Sequence, residues 1–134
     1  MTDLTGAVQR ALFAALSPVG GLPPVYSEVP IGANDLPEYP FTLLGDDQVT
    51  EVGGKDASIE EHTVAIHVIY QSTTKLTVRA AQDLVKGALH LQPITAAGAK
   101  LSNPTFQSGN LVLMDDGATY VGTQNFKLFA QPAG

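Results

Sequence analysis

The sequence has no cysteine, so neither a disulfide framework nor a thiolate metal site is available to it. It has no apolar run approaching a membrane span, and its first residues lack the basic start and long apolar stretch of a signal peptide. Those absences lead to the expectation of a soluble protein made in the cytoplasm, with no membrane partner. Basic residues are scarce as well: 7 Lys and Arg stand against 13 Asp and Glu, a net charge of −6. Affinity for nucleic acid rests on Lys and Arg displacing counterions from phosphates, so direct phosphate binding is disfavoured. An acidic wall past which DNA slides without sticking remains compatible with this balance, as does ordinary solubility.

Catalytic signatures are missing too. No serine sits in a Gly-x-Ser-x-Gly turn. Gly54-Lys55 resembles the end of a phosphate loop, but Val49 and Asp56 stand where that loop needs Gly and Ser or Thr. Asp46/Asp47, Glu60/Glu61 and Asp115/Asp116 are adjacent pairs. Neighbours in a strand face opposite ways and the last pair sits in a turn, so none converges on one substrate as general acid–base work requires. His62 and His67 are five apart on one strand and face opposite sides, and His90 falls on the polar side of a helix. They are expected to be structural or surface residues. No catalytic, cofactor or metal residue is assigned, and no cofactor is expected.

What is present is organised around Glu60 to Leu91: a strand, a short turn and a long helix. The strand from Glu61 to Tyr70 is rich in β-branched residues and free of Gly and Pro, as a central strand should be. His62, Val64, Ile66, Val68 and Tyr70 share one face; Thr63, Ala65, His67 and Ile69 share the other. Thr73 and Thr74 offer a cap to the helix. Its apolar stripe is Val78, Ala81, Val85, Ala88 and Leu89, with Leu84 at the edge, while Lys75, Arg79, Gln82, Asp83, Lys86 and His90 fall opposite.

A first helix runs from Asp3 to Leu16 on Leu4, Val8, Ala11, Leu12 and Ala15. Phe13 lies off that stripe, either partly exposed or covered by another subunit. Six prolines break the chain from Pro18 to Pro40 and leave room only for a short edge strand near Val25 to Val29. Phe41 to Val52 reads as a strand with Gly45 as a possible bulge. It turns back through Gly53-Gly54 into the Glu60 strand, making a long hairpin whose acidic region, Asp46 to Glu61, is expected to project and to have a mobile tip. Ala99 to Phe106 reads as a strand interrupted at Pro104. Asp115-Asp116-Gly117 joins Leu111–Met114 to Thr119–Phe129 as a hairpin. Residues 1–134 read as one domain, with a long β-hairpin and a sheet covered on one side by the second helix.

The order of these features is familiar. A helix precedes Val29-Pro30 with Gly32, then Leu36-Pro37-Glu38-Tyr39-Pro40-Phe41-Thr42-Leu43-Leu44-Gly45, the His62 strand, a helix ending Ala88-Leu89-His90, and Asp115-Asp116-Gly117 with Tyr120. The chain resembles the small tail-completion, or tail-terminator, proteins of long-tailed phages and gene transfer agents. Tyr70 stands where the central strand of that family often ends in Trp. The resemblance implies an α+β fold, a mainly antiparallel sheet with two helices packed on one face, and a hexameric ring that sits on the last ring of the tail tube, stops its growth and presents the head-joining surface. The implied partners are further copies of the chain, the tail-tube protein, a neck or head-completion protein, and DNA passing through the lumen without specific binding. The implied place is the head-proximal end of the tail, in a particle assembled in the bacterial cytoplasm. Phe13, Asp46, Asp47, Glu51, Asp56, Glu60 and Glu61 are the candidate subunit or ring contacts. The alternatives are a tail-tube or neck ring component and, from another class, a small ligand-binding or enzymatic α+β domain.

Overall fold

The computed structural model describes residues 4–32, 37–53 and 59–133. Among them, two helices pack on one side of a six-stranded, mostly antiparallel sheet. Helix α1 (Leu4–Leu16) buries Leu4, Ala7, Val8, Ala11, Leu12 and Leu16. Strand β1 (Val25–Tyr26) is a two-residue edge strand that lies parallel to β2 (Phe41–Glu51) and touches it only at Thr42 and Leu43. The prolines around it prevent anything longer, as expected. Where the chain enters β2, the buried Thr42 hydroxyl donates to the Pro23 carbonyl at 3.0 Å.

Strand β3 (Glu60–Gln71) lies between β2 and β6 (Thr119–Pro132) and pairs antiparallel with both. Its alternation is clean: His62, Val64, Ile66 and Val68 are buried on the helix side. Helix α2 (Lys75–Leu89) starts where the Thr74 hydroxyl accepts the Thr77 N–H at 3.5 Å. Val78, Ala81, Val85 and Leu89 bury against the sheet, and they share one core with Val64, Ile66, Val68, Phe126 and Leu128. Gln82 departs from the expected pattern. It is buried rather than solvated, because Gly122 leaves room for it: a Cβ there would stand 2.7 Å from the Gln82 amide nitrogen. That amide donates to the Asn110 carbonyl at 2.9 Å.

Strands β4 (Ala99–Leu101) and β5 (Thr105–Leu113) follow one another along the outer edge of β6. Pro104 separates them, which accounts for the interruption expected there. The Phe106 and Phe126 rings meet edge to face at 5.7 Å. The β5–β6 turn is closed by Asp116, whose carboxylate accepts from the Thr119 hydroxyl at 2.6 Å and from the Ala118 and Thr119 amides. Those bonds, the Thr119 hydroxyl first, hold its pKa below the ordinary aspartate value. Gly117 adopts φ +71° in this turn, the left-handed conformation that glycine tolerates best.

Candidate functional site

The acidic residues gather around the outer half of β2 and the start of β3. Their placement depends on one irregularity. The ladder pairs Leu44 with Ile66 and then Asp47 with Val64, so β2 spends one residue more than β3 over that step. The extra residue reverses the alternation: Asp47, and not Asp46, follows Leu44 onto the helix side. Gly45 is required at the bulge, since a Cβ would stand 2.5 Å from the His67 ring.

The bulge brings Asp47 to His62. The imidazole is fully buried, with Nδ1 3.0 Å from both Asp47 carboxylate oxygens and Nε2 3.0 Å from Glu60 Oε1. Each ring nitrogen faces a carboxylate of its own chain. No ring nitrogen remains free to bind or move anything else, which makes this a structural cluster. Its carboxylates show 17 % and 27 % of their surface, so it closes the core at the rim of the sheet. The other histidines are also engaged. His67 Nδ1 meets Thr123 Oγ1 at 2.8 Å, and His90 Nδ1 accepts the Phe106 N–H at 3.0 Å. Burial holds the His67 pKa below its usual value, with Asp46 opposing the shift.

The structure thus divides the candidate contact residues. Asp47 and Glu60 serve their own chain, and Glu61 reaches Lys127 at 3.7 Å across the bare face of the sheet. Asp46 and Glu51 are exposed on β2. Phe13 is 46 % exposed and shares a shallow groove with Arg10, Ser27 and Leu44, which places it above the same edge of β2. Of the expected mobile tip between Val52 and Ile59, residues 54–58, Asp56 among them, lie outside the described residues. The expected projection of the whole Asp46–Glu61 region needs correcting. Asp47 to Glu51 pair with Glu60 to Val64, which pair in turn with Phe126 to Ala130, so the base of the hairpin is integral sheet.

Two surfaces were not identified from the sequence. An apolar cleft of about 770 Å³ lies at the hairpin end of the sheet, where Val52, Ile59, Leu101 and Phe129 converge. A smaller notch of about 170 Å³ lies between α2 and β5, with Arg79, Asp83 and Lys86 at its rim and Gly109 and Gln124 in its wall. The Lys86 ammonium sits 4.5 Å above the Phe106 ring. The i, i+3, i+4, i+7 spacing of Arg79, Gln82, Asp83 and Lys86 was available as a signal, but it reads equally well as a solvated helix face.

Comparison with known proteins agrees with this architecture. The structure superposes on a chain of a solved particle described as "Virion of native gene transfer agent (GTA) particle", with a TM-score of 0.81, 22 % identity and full coverage of both chains. At that identity the likeness establishes the fold. No curated protein matches the sequence. The family model described as "Tail completion protein gp17" matches residues 7–130. With nearly the whole chain matched, the protein belongs to the tail completion protein gp17 family and has a structural role in the tail.

Proposed function

We propose that the protein assembles into a closed ring, a hexamer, on the last ring of the tail tube, ends tube polymerisation and offers its opposite face to the head. The match to the tail completion family over residues 7–130 carries this reading. Two properties of the chain support it. The sheet has an open strand edge on each side among the described residues, and a ring of identical subunits covers both at once. Phe13, Val52, Leu91, Phe129 and the Val112–Met114 run are all more than two fifths exposed, apolar surface that partners would cover. Function through assembly also fits a buried His62 whose ring nitrogens both face carboxylates of its own chain. DNA passes through the lumen without a specific site, consistent with 7 basic residues against 13 acidic ones.

The test pairs a mass measurement with particle images. A terminator stops at one ring of defined mass at every concentration, whereas a tube subunit polymerises by itself. Particles made without the protein are expected to carry tails of irregular length that fail to join filled heads. Tails of normal length that join heads in its absence would refute this function.

A further inference from the structure

The two long edges of the sheet are built to different rules. Strand β5 has no charged residue and no proline, and pairs only with β6 among the described residues. Beyond its bulge at Phe106/Ser108 the ladder is regular through Leu113, and Val112, Leu113 and Met114 are each close to half exposed. An edge of this kind is a template for another strand unless something covers it. The Met114 N–H bonds to the Thr119 carbonyl at 2.7 Å. Antiparallel alternation from that bond leaves the amides and carbonyls of Leu113, Leu111 and Gly109 pointing outward.

Among the described residues strand β2 is open from Asp47 to Glu51, because β1 reaches only Thr42 and Leu43. Here the Val52 N–H bonds to the Ile59 carbonyl at 2.9 Å, so the same alternation turns Glu51, Val49 and Asp47 outward. Both outward sets carry their side chains on the helix side. Gly109, Leu111 and Leu113 lie opposite Gln124, Gly122 and Tyr120, and Asp47, Val49 and Glu51 lie opposite Val64, His62 and Glu60. From β2 through β3 and β6 to β5 each strand is antiparallel to the last. A second copy's β2 placed beside β5 would therefore also run antiparallel, with its helices on the same side.

Charge selects the register. Asp47 is already bonded to His62, so Glu51 is the outward residue whose carboxylate has no partner among the described residues. The notch beside Gly109 presents Arg79 and Lys86 against a single acid, Asp83. Gln124 opens on the same notch, 5 % exposed and with no side-chain hydrogen bond among the described residues. Setting Glu51 at Gly109 places Val49 against Leu111 and Asp47 against Leu113. From these two edges we infer that neighbouring copies join by strand addition, β2 of one pairing antiparallel with β5 of the next, and that Glu51 seats in the Arg79–Lys86 notch. The contact uses opposite edges of the molecule and is therefore heterologous, so repetition closes a ring when the rotation allows. The inference names the interface of the proposed ring and rests on that reading.

The chain has no cysteine, so an engineered pair reports without background. In the double variant V49C/L111C the partners are a hydrogen-bonded antiparallel pair, with Cα atoms roughly 5.5 Å apart, a spacing that suits a disulfide. Oxidised under native conditions, purified or within particles, it should give a ladder of covalent multimers ending at the mass of the ring. Each single-cysteine variant should stop at dimers, and V49C/T105C, out of register, should not ladder. Glu51→Arg should weaken assembly roughly fivefold per contact. Adding Arg79→Glu to Glu51→Arg should restore it. A ring of correct mass in which V49C/L111C fails to cross-link would overturn strand addition and leave the ring standing. A protein that stays monomeric both alone and in particles would overturn the ring itself, and this interface with it.

Discussion

Strand β3 is buried on its helix side at both ends, but by different means. From Val64 to Val68 the side chains are apolar and lie in one core with Val85, Leu89 and Phe126. At His62 the burial is equally complete, yet the neighbours are the carboxylates of Asp47 and Glu60 at 3.0 Å. The apolar half owes its stability to area removed from water, which is non-directional and tolerates swaps of similar volume. The polar end depends on hydrogen-bonded contacts, and removing one partner leaves the others facing an emptied site with only part of their hydration. The difference also separates folding from assembly. The His62 cluster engages Asp47 within its own chain and leaves Glu51, further along the same strand, without a partner for its carboxylate among the described residues.

The largest expected effect tests the polar end. His62→Ala should destabilise the fold by about 3–5 kcal/mol, since it leaves two carboxylates facing an emptied site. Replacing His62, Asp47 and Glu60 together with apolar residues of similar volume should recover most of that loss. Denaturant titration measures both, and a triple variant no better than His62→Ala would contradict the account of the cluster. Next comes the apolar half. Leu89→Ala should cost about 2–4 kcal/mol by the same measurement, with little dependence on pH. A loss near zero would mean that α2 does not close the core over β3.

A smaller effect probes the bulge that joins the two ends. Gly45→Ala should cost about 1–3 kcal/mol, because the new methyl must displace the His67 ring or the Ala65 carbonyl, 3.0 Å away. If stability is unchanged, the close approach at Gly45 is not needed to hold the register. The smallest effect depends on pH and concerns the bare face. The folded pKa of His67 lies below its unfolded value, so the unfolded chain binds the proton more readily. Stability should therefore fall as pH drops through the ordinary histidine range, levelling off below the folded pKa. His67→Gln should remove this component, so the gap between the two proteins should shift in favour of the variant between pH 7 and pH 5. Parallel stability curves over that range would contradict it.

Much of the fold could be read before any coordinates. The β3 alternation, the α2 stripe, the proline-limited β1 and the Asp115-Asp116-Gly117 turn all rest on local rules of period and turn chemistry, and all are present. Gly45 was recognisable as a possible bulge, but its consequence was not. A bulge changes parity, and only the pairing of Leu44 with Ile66 and Asp47 with Val64 shows which of two adjacent aspartates turns inward. Gln82 looked like one more polar residue on an exposed helix face. Its burial depends on a glycine forty residues later, on a strand whose distance from α2 no local pattern encodes.

The sequence by itself determined most of the strands and helices, the absence of a thiolate site and the acid–base imbalance, because each follows from composition or from contacts a few residues long. Tertiary structure decided which charges stay inside and which remain for a partner. It joined His62 to Asp47 across two strands, gathered Arg79, Lys86, Gly109 and Gln124 from a helix and two strands into one notch, and set an uncharged edge opposite an acidic one. Those placements depend on strand order and on a one-residue shift in register, and both arise from the packing of segments far apart in the chain.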